Sequence, residues 1–178
     1  MDLWRIGVLG DTGVGKASLA IQFTHNCFLA LSQTYDPVGG DVYRRQLMVD
    51  NRMCFVEAIN IGKQEDHAFI LMYSITSRTS FDKLELFHQS IHRIKGKNSI
   101  FILVGNKCDR EYAREVSKEE GTSLAKEFGC EFLETSATTA KNVERVFTNL
   151  VRTLRRIAVD ANRETFGEAK RSKKCIIM

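Results

Sequence analysis

The chain holds one proline, Pro37, and one tryptophan, Trp4, among its 178 residues. So little proline excludes collagen-like and proline-rich linker architectures. No apolar run approaches the roughly 18 residues that a membrane-spanning helix needs. The five cysteines, Cys27, Cys54, Cys108, Cys130 and Cys175, are odd in number and show no paired spacing. A disulfide framework is therefore not expected, and the first four read as small packing residues. Met1-Asp2-Leu3-Trp4 has no basic region and the apolar run after it is short, so the start does not read as a secretory signal. Together these features predict a reduced, intracellular setting. The net charge of +4 is modest, and no stripe of bases interleaved with aromatics is present, so nucleic acid is not an expected partner. His25, His67, His88 and His92 are scattered. The last two share a helix face at i, i+4, but with no carboxylate ligand or third histidine beside them a zinc site is not expected.

What is present suits one domain with a sizeable core: 43% of the residues are hydrophobic and 27% charged. Apolar, β-rich runs alternate with helical patterns. Strands are predicted at Arg5–Leu9, Tyr43–Val49, Met53–Ile59, Ala68–Ile75, Ile100–Val104 and Glu131–Glu134. The second and third form a hairpin turning at Asp50-Asn51. Phe69-Ile70-Leu71-Met72 and Ile100-Phe101-Ile102-Leu103-Val104 are continuously apolar, as parallel strands covered on both faces should be. Helices are predicted at Gly15–Thr24, Phe81–Lys95, Lys118–Phe128 and Val143–Val159. Ser117 and Glu120 form a capping box for the third, and Gly129 stops it. The last has Asn142 as its N-cap and an apolar stripe through Val143, Val146, Phe147, Leu150, Val151 and Leu154. Arg145, Arg152, Arg155 and Arg156 then read as a solvated face. The alternation predicts a mostly parallel, three-layer α/β domain, with ligands at the carboxyl ends of its strands.

Two stretches carry chemistry at such ends. Gly10-Asp11-Thr12-Gly13-Val14-Gly15-Lys16-Ala17-Ser18 follows the first strand and opens the first helix. It matches G-x-x-x-x-G-K-[ST], a phosphate-binding loop, except that Ala17 stands where Ser or Thr should. The glycines let backbone N–H groups curl around phosphate oxygens, the helix N-terminus adds partial positive charge, and Lys16 adds a full one. The hydroxyl missing from Ala17 is the one that would bind Mg²⁺. Ser18 does not replace it simply, because one helical step turns a side chain by roughly 100°. After Ile100–Val104 comes Asn106-Lys107-Cys108-Asp109, an N-K-x-D tetrapeptide. A carboxylate held at Asp109 can accept two N–H donors from the edge of guanine, which adenine does not present. The Lys107 stem can lie over the ring, and Asn106 can tie this loop to the glycine loop. After the last strand, a backbone N–H in Thr135-Ser136-Ala137-Thr138 is placed to reach the guanine carbonyl oxygen.

On these motifs, with Tyr35-Asp36-Pro37, Tyr43-Arg44, Gln64-Glu65-Asp66 and Glu134–Ala137, the chain resembles the Ras family of small GTPases from about Trp4 to Ala158. Through His67–Ser80 and the C-terminus it is most similar to fungal Ras-like and Di-Ras-like members. The resemblance implies a P-loop GTPase fold: a six-stranded, mostly parallel sheet with one antiparallel edge strand over residues 1–158. It implies GTP or GDP as ligand, hydrolysis of GTP with Mg²⁺, and exchange factors and effectors of the Ras type as partners. It also places Phe28 against the base and makes Gln64 the candidate that orients the attacking water.

The departures from the family pattern predict impaired hydrolysis. Val38 follows Tyr35-Asp36-Pro37 where the family has a Mg²⁺-binding Thr. In Asn60-Ile61-Gly62-Lys63-Gln64, matching D-x-x-G and its following Gln, Asn60 replaces the Asp and Lys63 the switch Gly. With Ala17, these changes remove the protein's expected ligands for Mg²⁺, so no metal-ligating residues are assigned. Thr12 stands where a side chain in Ras itself obstructs the arginine finger of an activating protein, which predicts weak stimulation. Gln64 and Phe69 are also separated only by Glu65–Ala68. A parallel crossover usually takes a dozen or more residues. The link from Asn60 to His67 reaches at most about 28 Å against a return path on the order of 20 Å. The expectation is a stretched coil in place of the family's crossover helix, with part of the sheet face uncovered; loss of a coding segment would leave the same gap. An alternative of a different class follows: a binding module that holds guanine nucleotide weakly and sequesters Ras regulators or effectors.

Cys175-Ile176-Ile177-Met178 fits C-a-a-X, and the terminal Met favours farnesylation of Cys175. Lys170, Arg171, Lys173 and Lys174 supply the second signal that a single lipid chain needs. Residues 159–178 are thus expected to be a flexible basic tail that tethers the domain to the cytoplasmic face of the plasma membrane.

Overall fold

The computed structural model describes residues 1–28, 42–59, 65–96 and 98–172, the last stretch without its side chains beyond 161. The expectations for Tyr35–Val38, Asn60–Gln64 and Cys175 with its neighbouring lysines lie outside these residues.

The sheet has six strands: β1 (Asp2–Gly10), β2 (Val42–Val49), β3 (Arg52–Ile59), β4 (Ala68–Ser74), β5 (Phe101–Asn106) and β6 (Glu131–Glu134). Their order is β2-β3-β1-β4-β5-β6, and only the β2–β3 edge pair is antiparallel. This is the three-layer α/β fold expected of the motifs. The β2–β3 hairpin turns at Asp50 and Asn51, both left-handed with φ of 49° and 58°. Consecutive residues with positive φ make the turn whose twist matches that of the strands it joins. β4 and β5 are buried along their whole length, which explains their unbroken apolar sequences.

Helices cover the two faces. α1 (Lys16–His25) and α5 (Val143–Ser172) share one core with β1, β3 and β4, built on Ile6, Val8, Phe23, Phe147, Leu150 and Leu154. Phe23 and Phe147 stack at 3.7 Å between the two helices. On the other face, α2 (Arg78–Asp82), α3 (Leu84–Lys95) and α4 (Lys118–Phe128) pack through Phe69, Leu71, Tyr73, Leu84, Ile91 and Ala125. The Ser117–Glu120 capping box of α4 is formed, and Gly129 ends that helix in the left-handed region at φ 66°.

Several expectations are corrected. The helix predicted to begin at Phe81 begins at Arg78, because the Ser77 side chain accepts from Ser80 N–H and caps it; Lys83 then divides it into two segments. Asn142 has φ 57° rather than the extended backbone of a side-chain N-cap, and its amide nitrogen donates to the Glu134 carbonyl at 2.8 Å, fastening the start of α5 to the end of β6. α5 continues to Ser172 instead of stopping at Val159. Its arginines are not all solvated. Arg155 donates to the Asp2 carboxylate at 3.1 Å and the Val49 carbonyl at 2.7 Å, and Arg152 is paired with Asp50 at 2.9 Å.

The crossover from β3 to β4 closes more easily than the stretched coil predicted. Gly7 of β1 pairs with Ile59, where β3 ends, while the adjacent Ile6 pairs with Ala68, where β4 begins. β3 thus lies along the first part of β1 and β4 along the second. The link must cross only β1, about 10 Å for two strand spacings, with almost no return along the strands. Among the described residues 65–67 of the link none is helical. On that face Leu3 is 42% exposed, and buried Glu57 is held by Arg5 and Arg44 rather than by apolar packing.

Candidate functional site

The carboxyl ends of β1, β5 and β6 surround a cavity of about 410 Å³. It is lined by Thr12, Gly13, Gly15, Lys16, Ala17 and Ser18 from the glycine loop, by Phe28 after α1, by Asn106, Lys107 and Asp109 after β5, and by Ala137 and Thr138 after β6. The residues singled out from sequence thus come together from three stretches of chain. Gly10, Asp11 and Val14 are not on the cavity wall but shape the loop from beneath. Ser136 is wholly buried; its N–H donates to the Lys141 carbonyl at 3.1 Å and its Oγ accepts from Thr139 N–H. That leaves the neighbouring Ala137, on the wall, to present a backbone donor. Gln64, Val38 and Asn60 lie outside the described residues.

Backbone geometry explains the glycines at two positions. A Cβ on Gly10, at φ 154°, would lie 2.1 Å from the Met72 carbonyl oxygen, and one on Gly15, at φ 101°, would lie 2.5 Å from Asn106 Nδ2. The loop therefore runs against β4 on one side and the Asn106 side chain on the other. Asn106 is 2% exposed. Its Nδ2 donates to the Val14 carbonyl at 2.9 Å, and its Oδ1 accepts from Thr135 Oγ1 at 3.0 Å. One amide thereby joins the glycine loop, the N-K-x-D loop and the end of β6.

Three lysines surround the loop. Lys16 Nζ donates to the carbonyls of Gly10 and Asp11, each at 2.9 Å. Burial pushes its pKa down, and the nearby Asp11 charge opposes that shift. Lys107, itself left-handed at φ 64°, spans the cavity mouth to donate to the Gly13 carbonyl at 2.7 Å. Lys83, from the junction of α2 and α3, pairs with the Asp11 carboxylate at 2.8 Å. That hydrogen bond, with one from Thr12 N–H, holds Asp11 below the usual carboxylate range. Sequence reasoning missed Lys83, whose partner lies 72 residues away, and Arg110, which lines the cavity directly after Asp109. Arg110 had a readable signal in that adjacency; Lys83 had none.

The cavity suits a nucleotide. It combines a helix N-terminus, a glycine loop and Lys16 at one end with the half-exposed Phe28 ring, the Lys107 stem and the Asp109 carboxylate at the other. Ala17 offers no side-chain oxygen where the loop opens into α1. No cluster of three or more metal-ligating side chains occurs among the described residues, and none of their helices is long and apolar enough to cross a membrane.

Comparison with known proteins agrees with this geometry. A model of the Ras family matches residues 5–156. The chain is 38% identical to Ras-like protein 1 of Pyricularia oryzae over 204 residues, covering 97% of this chain and 83% of that protein. It is 39% identical to protein ras-2 of Neurospora crassa over 186 residues, covering 86% of this chain and 80% of the relative. Both alignments are longer than the 178 residues of the chain, so each relative carries residues that are absent here.

Proposed function

Because the chain belongs to the Ras family of small GTPases, we propose that it holds a guanine nucleotide in this cleft, signals from a membrane, and hydrolyses GTP poorly. The observation that supports the reading is the convergence of the glycine loop, the Asn106–Asp109 loop and Ala137–Thr138 on one cavity. Amides of residues 13–18 and Lys16 bind the phosphates. Lys16 exchanges its two carbonyl acceptors for phosphate oxygens, and their negative charge counters the burial that disfavours its protonated form. Asp109 accepts from the guanine edge, Ala137 N–H donates to the guanine carbonyl, and Phe28 with the Lys107 stem encloses the ring.

Binding and turnover separate in this chain. Backbone donors, Lys16 and the base pocket need no metal, so the nucleotide stays bound. Turnover in the family uses Mg²⁺ to neutralise charge developing on the transferred phosphoryl group. Ala17 and Val38 remove hydroxyl ligands for that ion, Asn60 puts a neutral amide in place of a carboxylate, and Lys63 stands where a glycine would let its amide approach the γ-phosphate. Gln64 is the remaining candidate to orient a water. The chain end beyond α5, with farnesylated Cys175 and its lysines, supplies the membrane anchor. Exchange factors and effectors of the Ras type are the fitting partners.

The test is affinity for GTP and GDP with and without Mg²⁺, followed by single-turnover hydrolysis. The reading expects guanine nucleotide to bind in both conditions, Asp109→Ala to abolish the preference for guanine over adenine, and turnover to exceed the protein-free rate only slightly. The second reading, a binding module that sequesters regulators or effectors, is favoured specifically by Ala17. Weak, GDP-biased binding with no turnover would select it, and tight, Mg²⁺-dependent GTP binding with fast turnover would overturn the claim of impaired hydrolysis.

A further inference from the structure

Two imidazoles outside the nucleotide cleft meet in a geometry that hydrophobic packing does not require. His88 and His92 stand one turn apart on α3, and their Nε2 atoms are 3.0 Å apart. The ring planes cross at 85° with centroids 4.3 Å apart. Each ring is held from outside the pair. His92 Nδ1 lies 3.0 Å from the carbonyl of Gly96, the residue that ends the helix. A carbonyl only accepts, so Nδ1 carries the proton and Nε2 turns its lone pair toward His88. The His88 ring lies flat on Phe128 of α4, with centroids 3.9 Å apart and planes 6° from parallel. The Phe101 ring closes the pair from the sheet, 5.0 Å from His88 and 5.3 Å from His92. Burial, and then the neighbouring His92, push the His88 pKa below its ordinary value, favouring the neutral ring that a metal requires.

We propose that His88 and His92 form a bidentate site for a divalent transition-metal cation of the imidazole-preferring kind: copper, nickel or zinc. Two ring nitrogens at about 2.0–2.1 Å from one cation, at angles between square and tetrahedral, stand roughly 2.8–3.4 Å apart. The observed separation falls in that range before any metal arrives. The Gly96 carbonyl acts as the outer partner that metal-bound histidines normally have, fixing tautomer and ring orientation. The Phe128 stack does the same for His88 by packing. Without metal, the two Nε2 atoms share one proton in a hydrogen bond. On binding, each gives its lone pair to the cation, and the proton on His88 Nε2 moves to His88 Nδ1 through solvent, so neutral rings release no net proton. Glu85, one turn earlier and hydrogen-bonded to Gln89 at 2.9 Å, adds negative charge on the same helix. Water completes the coordination, because the described residues hold no cluster of three ligands. The site is therefore an open surface chelate, with copper(II) bound more tightly than zinc(II). A cation here would bridge two successive turns near the end of α3.

Titration of the full chain with copper(II), read by electron paramagnetic resonance, and with zinc(II), read by calorimetry, tests the proposal. The parent protein is expected to bind one cation with two coordinating nitrogens. His92→Gln and His88→Phe should each lower affinity at least tenfold and remove one nitrogen signature. His88→Phe keeps the flat contact with Phe128, so retained circular dichroism there separates loss of a ligand from loss of fold. Equal affinity in the parent and both variants, or no site in the parent tighter than millimolar, would overturn the assignment.

Discussion

Asn106 links three loops through one side chain, and both of its polar atoms are used. Asn106→Ala would leave the Val14 carbonyl and the Thr135 hydroxyl buried without that partner. Each orphaned group costs about 1–3 kcal/mol, so the variant should lose at least about 2 kcal/mol in urea unfolding, with guanine-nucleotide affinity falling as the glycine loop loses its brace. Unchanged stability would mean that another group holds the loop. The N-K-x-D spacing already marked Asn106 for this role, since the tetrapeptide follows a strand. It did not reveal the acceptor, which lies 92 residues earlier in the chain. The same limit hid Lys83, an exposed lysine on a helix until folding brings Asp11 to it. Ala17 was legible at once, because an absent hydroxyl needs no neighbour to be recognised.

At the scale of elements, periodicity located the six strands and the cores of α1, α3, α4 and α5, while α2, element ends and charged faces depended on contacts. Helix α4 matches its prediction from Lys118 to Phe128 because its stop and start signals are local, the Ser117–Glu120 box and Gly129. Helix α5 was read correctly on its apolar stripe and on the exposed Arg145, Arg152 and Arg156, and incorrectly on Arg155. Arg155, with 12% of its side chain exposed, reaches Asp2, the Val49 carbonyl and the Arg52 carbonyl. Arg152 meets the exposed Asp50, with both side chains more than half solvated. Buried charge-assisted hydrogen bonds are worth about 1.5–3 kcal/mol each, whereas exposed pairs contribute little. Arg155→Ala should therefore lower the urea midpoint clearly and Arg152→Ala barely at all. Equal effects would count against this division. A solvated arginine stripe and an arginine clamp on the hairpin share one sequence pattern, because the carbonyls that distinguish them belong to strands about 100 residues away.

Across the whole molecule, acid should act in two steps. The folded pKa values of His88 and His67 are depressed, first by burial, from an ordinary 6.5. Between 6.5 and those values the unfolded chain binds more protons, so stability is full above pH 6.5 and falls as the pH drops through the window. Glu57 behaves alike at lower pH. Burial raises its pKa, but hydrogen bonds from Arg44 and Arg5 outweigh that and bring it below the ordinary 4.5. Its contribution is full above pH 4.5 and is lost on further acidification. Melting temperatures between pH 8 and 3 should show both steps, and His88→Phe should shrink the first while leaving the second. A variant profile parallel to that of the parent would place the first step elsewhere.

The sequence by itself determined the layers, the parallel run of apolar strands, the cleft at their carboxyl ends and most of the residues that line it. Those features rest on local periodicity and on short motifs whose chemistry is complete within a few residues. Tertiary structure decided how β3 and β4 divide β1 between them, so that a link too short for the usual crossover has only one strand to cross. It also decided that Lys83 braces the phosphate loop, that Arg155 clamps the hairpin, and that His88 and His92 face each other against Phe128. Each of these depends on a partner distant along the chain, and no local pattern encodes a distance that only packing sets.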